Sequence, residues 1–150
     1  MRFCNMELAE SNMKQTVRLR DMAEINQYRK DLRDKIIAYA MKEFHQRGVK
    51  AVKMDEISRG LRVSKRTVYE IFGDKEELLL AGMKIERAEY KARVEQYALT
   101  HARNVIDVIG YIYRLQMERN QQVGLVFYEE IHRMPRILEF LKEEHDKEYD

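Results

Sequence analysis

Residues 52–73 read VKMDEISRGLRVSKRTVYEIFG, and two short helices can be recognised within them. Met54, Ile57 and Leu61 recur at helical spacing and define an inward face over Met54–Leu61. Ser64 is a good N-cap, and Val68, Ile71 and Phe72 then fall on one side of a second helix. The two helices meet at a tight turn around Arg62-Val63. The unit is therefore a helix-turn-helix, in which the first helix braces the second.

Upstream, Leu32, Ile36, Ile37, Ala40, Met41 and Phe44 repeat at helical spacing until Gly48, which suits a C-terminal cap. Residues 1–30 are polar and expected to form a helical extension, with Met22, Ile25 and Leu32 sharing a face with Ile36 across Arg29. Met6, Met13 and Met22 are alternative starts. Downstream, Asp74 caps a long helix from Lys75 to about Thr100 whose apolar residues include Leu78, Leu79, Met83, Tyr90, Val94 and Tyr97. A helix over Asn104–Arg119 carries Val105, Ile106, Val108, Ile109, Ile112 and Leu115, apolar on so much of its circumference that burial among other helices is expected. Two more helices follow, near Gln121–Arg133 and Arg136–Lys147, the second started by Pro135. With one Pro, six Gly and no Trp in 150 residues, the chain reads as all-α.

Twenty-eight basic and 26 acidic side chains leave a net charge of +2, too little to argue for nucleic acid by itself. The distribution says more. Arg47, Lys50, Lys53, Arg59, Arg62, Lys65, Arg66 and Lys75 crowd the middle, while Glu139, Glu143, Glu144, Asp146, Glu148 and Asp150 make the end acidic. A basic binding face and a separate acidic end are expected. The lone Cys4 gives no sign of an oxidising compartment, and neither a signal peptide nor a membrane-spanning stretch is visible, so a cytoplasmic protein is expected.

A helix-turn-helix places the N-terminal residues of its second helix at base edges in the major groove. Ser64, Lys65, Arg66 and Thr67 supply the donors this needs: Lys or Arg can pair with guanine O6 and N7, and Thr offers a hydroxyl or a methyl. Taken alone, such residues are also an ordinary polar helix start.

The stretch from Phe44 and Gly48 through Asp55-Glu56-Ile57-Ser58, Val63-Ser64-Lys65-Arg66-Thr67-Val68-Tyr69 and Phe72 to Lys75-Glu76-Glu77-Leu78 resembles the TetR-family DNA-binding domain in order and spacing, over about residues 32–82. The resemblance implies a three-helix DNA-binding head (31–77), a long linking helix, and a helical ligand-binding and dimerisation body (78–150) that is incomplete here. It further implies a double-stranded DNA operator of near-palindromic sequence, a homodimer and a small-molecule effector, with no cofactor. Carried over by residue, Ser64, Lys65, Arg66 and Thr67 match the base- and phosphate-contacting segment, Tyr69 the phosphate-contacting Tyr, and Lys75 the Lys opening the linking helix. Tyr69 could equally be a partly buried core Tyr, and Lys53, Lys75 and Arg47 could each be plain solvated charges.

Four departures from the family pattern stand out. Val52 and Lys53 occupy positions where Thr or Ser usually caps the second helix and touches a phosphate, so that contact is expected to pass to Lys53 or to backbone N–H groups. Arg62 replaces the turn Gly, where positive φ would be strained, so a turn of different build is expected. Arg66 replaces a residue that is often Gly and extends the reach of the recognition helix. Finally, family members continue through further pairing helices, whereas this sequence closes on the charged run Glu143–Asp150.

Enzyme function finds little footing. Glu129 and His132 form a Glu-x-x-His pair, but di-metal bundles need two such pairs and two further Glu. There is no Gly-rich phosphate loop, nucleophile elbow or second Cys. Tyr111, Tyr113, Met117, Phe127, Tyr128 and His132 could line an effector cavity, with core packing favoured for each. The sequence thus points to a DNA-binding regulator, a ligand-responsive repressor by the resemblance; the alternative is a truncated helical interaction module that does not bind DNA by itself.

Overall fold

In the computed structural model residues 2–146 are described, with side chains from Arg18 onward. The side chains of Cys4, Met6 and Met13, and Lys147, Glu148 and Asp150 of the acidic end, lie outside what the structure describes. Every regular element among those described is an α-helix: α1 (Arg2–Arg47), α2 (Met54–Gly60), α3 (Lys65–Ile71), α4 (Lys75–Thr100), α5 (Val105–Gln122), α6 (Leu125–Ile131) and α7 (Pro135–Asp146). The chain divides into two units, Met1–Lys35 and Ile36–Asp150. In the first, Leu19, Met22, Ile25 and Tyr28 are exposed, and Gln27 Nε2 donates to Asp31 Oδ1 at 2.7 Å.

The second unit is built on the apolar face read from the sequence. Ile36, Ile37, Ala40, Met41 and Phe44 of α1 are buried, together with Val52, Ile57, Val68, Phe72, Leu78 and Leu79 from the next three helices and their connections. Each of these side chains other than Ala40 contributes roughly 1.5–3 kcal/mol by leaving water. The C-terminal cap of α1 is Gly48, at φ 83, a left-handed conformation that glycine adopts without a Cβ clash. At Gly82 of α4 the requirement is space: a Cβ there would collide with the Met41 side chain.

Leu115, Val123, Phe127, Ile131, Ile137 and Phe140, from α5, α6, α7 and the α5–α6 connection, are buried as well. Here the structure departs from expectation. Val105, Ile106, Ile109 and Tyr113 of α5 are 73%, 77%, 59% and 63% exposed, and Leu115 is the buried residue of that helix. Helix α5 packs on α4 through the Tyr97–Tyr111 stack, centroids 4.1 Å apart, and an Arg93–Glu118 pair at 3.6 Å. Apolar residues around a whole circumference report hydrophobicity, whereas burial requires a neighbour on each side.

Candidate nucleic-acid interface

Helices α2 and α3 are joined by a turn whose hydrogen bonds are local. Leu61 N–H donates to Ile57 O at 3.1 Å, Arg62 N–H to Arg59 O at 3.1 Å, and Val63 N–H to Ser58 O at 3.0 Å. Closing this turn puts Arg62 at φ 55. The expected rebuilding of the turn therefore does not occur. Arginine adopts the left-handed conformation that glycine would take freely, because the Val63–Ser58 bond and burial of Ile57 and Val68 fix both ends.

Helix α3 begins as the sequence predicts. Ser64 Oγ accepts the Thr67 N–H at 3.0 Å and lies 2.7 Å from Thr67 Oγ1. Val68 is buried, which directs the exposed residues Ser64, Lys65, Arg66 and Tyr69 to the opposite side, with Thr67 half-buried. Tyr69 is 42% exposed, and Lys65 Nζ lies 5.9 Å from its ring centroid. The structure thus brings Ser64, Lys65, Arg66, Thr67 and Tyr69 together on one short helix.

Both cations of that face have carboxylate partners. Lys65 Nζ contacts Asp55 Oδ1 at 2.9 Å and Oδ2 at 3.1 Å, and Arg66 Nε contacts Glu70 Oε1 at 2.7 Å. These hydrogen bonds, reinforced by Coulomb attraction, raise the pKa of both groups. Lys65, Arg66, Asp55 and Glu70 sum to no net charge, so the cations flanking the face matter. Lys53 and Arg62 are exposed and have no carboxylate partner among the described residues. Lys53 precedes α2 without a side-chain cap, as the missing Thr or Ser leads one to expect.

Lys75 stands apart from this group. Its ammonium donates to Val49 O at 2.7 Å, Val52 O at 2.9 Å and Lys50 O at 3.5 Å, so three N–H groups meet three carbonyls of the α1–α2 connection. Burial pushes its pKa down, against the pull of Glu130 and Glu56. A lysine held in this way ties α4 to the loop before α2.

The body contacts the head through α6 and α7. Gly124 N–H donates to His45 O at 2.7 Å, Lys50 N–H to Glu130 Oε2 at 3.0 Å, and Arg136 pairs with Asp74 at 3.3 Å. A cavity of about 280 Å³ between α4 and α5 is lined by His45, Glu86, Tyr90, Arg93, Leu115 and Arg119 among others. None of Tyr111, Tyr113, Met117, Phe127, Tyr128 and His132 lines it. Phe127 is core, Tyr113 is exposed, and His132 Nδ1 lies 2.6 Å from Tyr128 O. Among the described residues no group of His, Cys, Asp or Glu is arranged to hold a metal, and no helix is long and apolar enough to cross a membrane.

The sequence reading missed Asp55, Glu70 and Glu130 as partners. Glu70 was findable, lying four residues after Arg66 on one helix face; Asp55 and Glu130 are 10 and 80 residues from their partners and gave no local signal. Residues 36–81 match the family described as bacterial regulatory proteins, tetR family. No curated protein and no solved structure matches the chain.

Proposed function

We propose that this regulator, whose residues 36–81 carry the tetR-family DNA-binding domain, is a ligand-responsive repressor working as a homodimer on a near-palindromic operator in the cytoplasm. The observation that carries the reading is the capped, exposed N-terminus of α3, where Ser64, Lys65, Arg66 and Thr67 stand beside Tyr69 with Val68 anchored in the core. In this mechanism the start of α3 enters the major groove, Arg66 and Lys65 face base edges, and Ser64, Thr67, Tyr69, Lys53 and Arg62 hold phosphates. Lys75 positions the α1–α2 connection from behind. Two heads of a dimer would sit one helical turn apart, roughly 34–36 Å.

The effector would enter the body, and the contacts of Gly124, Glu130 and Arg136 with the head give α6 and α7 a route to it. An effector can shift DNA affinity only by its own differential affinity for the two arrangements. A second reading, an interaction module that does not bind DNA by itself, is favoured by the apolar side chains that α5 leaves exposed.

Selection of bound sequences from a random duplex pool, at near-physiological salt and with the whole chain, separates the two. A palindrome establishes operator binding by a dimer. A single half-site supports one head acting alone. No enrichment by folded protein rejects DNA reading and leaves the interaction module.

A further inference from the structure

We infer that Glu70 is a positioning residue for base reading: it holds the Arg66 guanidinium side-on so that the two terminal amino groups project together as a donor pair for one guanine. The inference rests on the DNA-binding reading and adds to it a residue whose role is indirect.

The geometry separates the two ends of the guanidinium. Its Nε–H donates to Glu70 Oε1 at 2.7 Å, and no acceptor among the described residues engages Nη1 or Nη2. The Arg66 side chain is 88% exposed, so those two groups face solvent. A guanidinium carries its donors in a fixed plane. Fixing Nε therefore sets the direction of the remaining pair, which matches guanine O6 and N7 in the major groove. An unheld arginine would lose its side-chain freedom on binding.

The pair is also oriented against helix stability. Arg66 lies in the first turn of α3 and Glu70 near its end, and the first turn holds no acidic residue. Positive charge at a helix N-terminus and negative charge at its C-terminus both oppose the macrodipole, and a cation four residues before an anion is the weaker order for such pairs. Stabilising α3 would favour the reverse arrangement. Lys65 provides the contrast: it contacts both oxygens of Asp55 on α2, and its ammonium is a point charge with no fork to aim.

The test compares wild type, Glu70→Ala, Glu70→Gln, Arg66→Ala and the Arg66→Ala/Glu70→Ala double variant by sequence selection and by titration of a random duplex. All five are checked for wild-type helical circular dichroism. Arg66→Ala identifies the base pair that Arg66 reads. Glu70→Ala should lower guanine preference at that same pair by about tenfold, and Glu70→Gln, which keeps an acceptor without the charge, by about threefold. Random-duplex affinity should change less than about twofold, and the double variant should match Arg66→Ala.

Three results overturn the inference. Unchanged preference in Glu70→Ala means Arg66 needs no support. Tighter binding to every duplex means Glu70 is simply a repelling charge. A preference change that persists in the Arg66→Ala background means Glu70 reads a base directly. Loss of enrichment by wild type itself would remove the DNA-binding reading, and that failure is distinct because it precedes any variant.

Discussion

At Arg62, φ of 55 places a β-carbon in a region that costs an L-residue roughly 1–2 kcal/mol. Glycine removes that clash but brings about 0.5–1 kcal/mol of extra chain entropy to the unfolded state. Clash relief exceeds the entropy term, so Arg62→Gly should raise unfolding free energy by up to about 1 kcal/mol, read from urea titrations with unchanged slope. Arg62→Val, β-branched at positive φ, should lower it by more than about 1 kcal/mol. Equal stability of the three proteins would mean that the turn relaxes away from the left-handed conformation. In DNA binding the glycine variant should be weaker on all sequences and less salt-sensitive, since an exposed cation is gone. Lys75 inverts this pattern. Lys75→Ala leaves three carbonyls of the α1–α2 connection without their charged donor, a loss of about 1.5–3 kcal/mol of stability, with an unchanged salt slope. A slope falling by about one would instead put that ammonium on a phosphate.

Between α3 and the start of α2, roles separate and can be read by salt dependence. Arg66→Ala should relax base preference at one position, whereas Lys53→Ala, just ahead of α2, should weaken binding to all duplexes and reduce the salt slope by about one. Wild-type behaviour of both variants across salt concentrations would show that this face does not meet DNA. Ser64, Asp74 and Asn104 accept N–H bonds from Thr67, Glu77 and Asp107, all three residues ahead, so caps and helix starts could be read from adjacent residues. Gly48 announced the end of α1 for the same reason. The exposure of α5 was not legible, because Ile106 and Ile109 look identical in sequence whether or not a helix lies against them. Nor was the role of Lys75: its acceptors are backbone carbonyls more than 20 residues away, which carry no side-chain signal.

Across residues 36–150, head and body share few polar links, and their position decides how a change in one reaches the other. Glu130 on α6 accepts the Lys50 N–H at 3.0 Å and draws the pKa of Lys75 upward, so one carboxylate acts on both the amide and the ammonium that organise the α1–α2 connection. Gly124 N–H on His45 O and Arg136 on Asp74 bracket it on either side. Glu130→Ala removes an acceptor and a charge together, while Glu130→Gln keeps an acceptor and removes the charge alone. Since the Lys50 side is exposed, the expected loss is about 1 kcal/mol for alanine and less for glutamine. The more telling readout is cooperativity. Thermal unfolding of the wild type should be a single transition in which circular dichroism and tyrosine fluorescence coincide. The Glu130→Ala/Arg136→Ala variant, made in a Tyr39→Phe/Tyr69→Phe background, should separate them, because the tyrosines of residues 36–146 then all lie on α4, α5 and α6 while circular dichroism averages all helices. Coincident transitions in that variant would mean the shared apolar packing of α1, α4 and α6 couples the two parts without these polar contacts. An effector would then have to act by repacking that core instead of displacing α6 from the loop before α2.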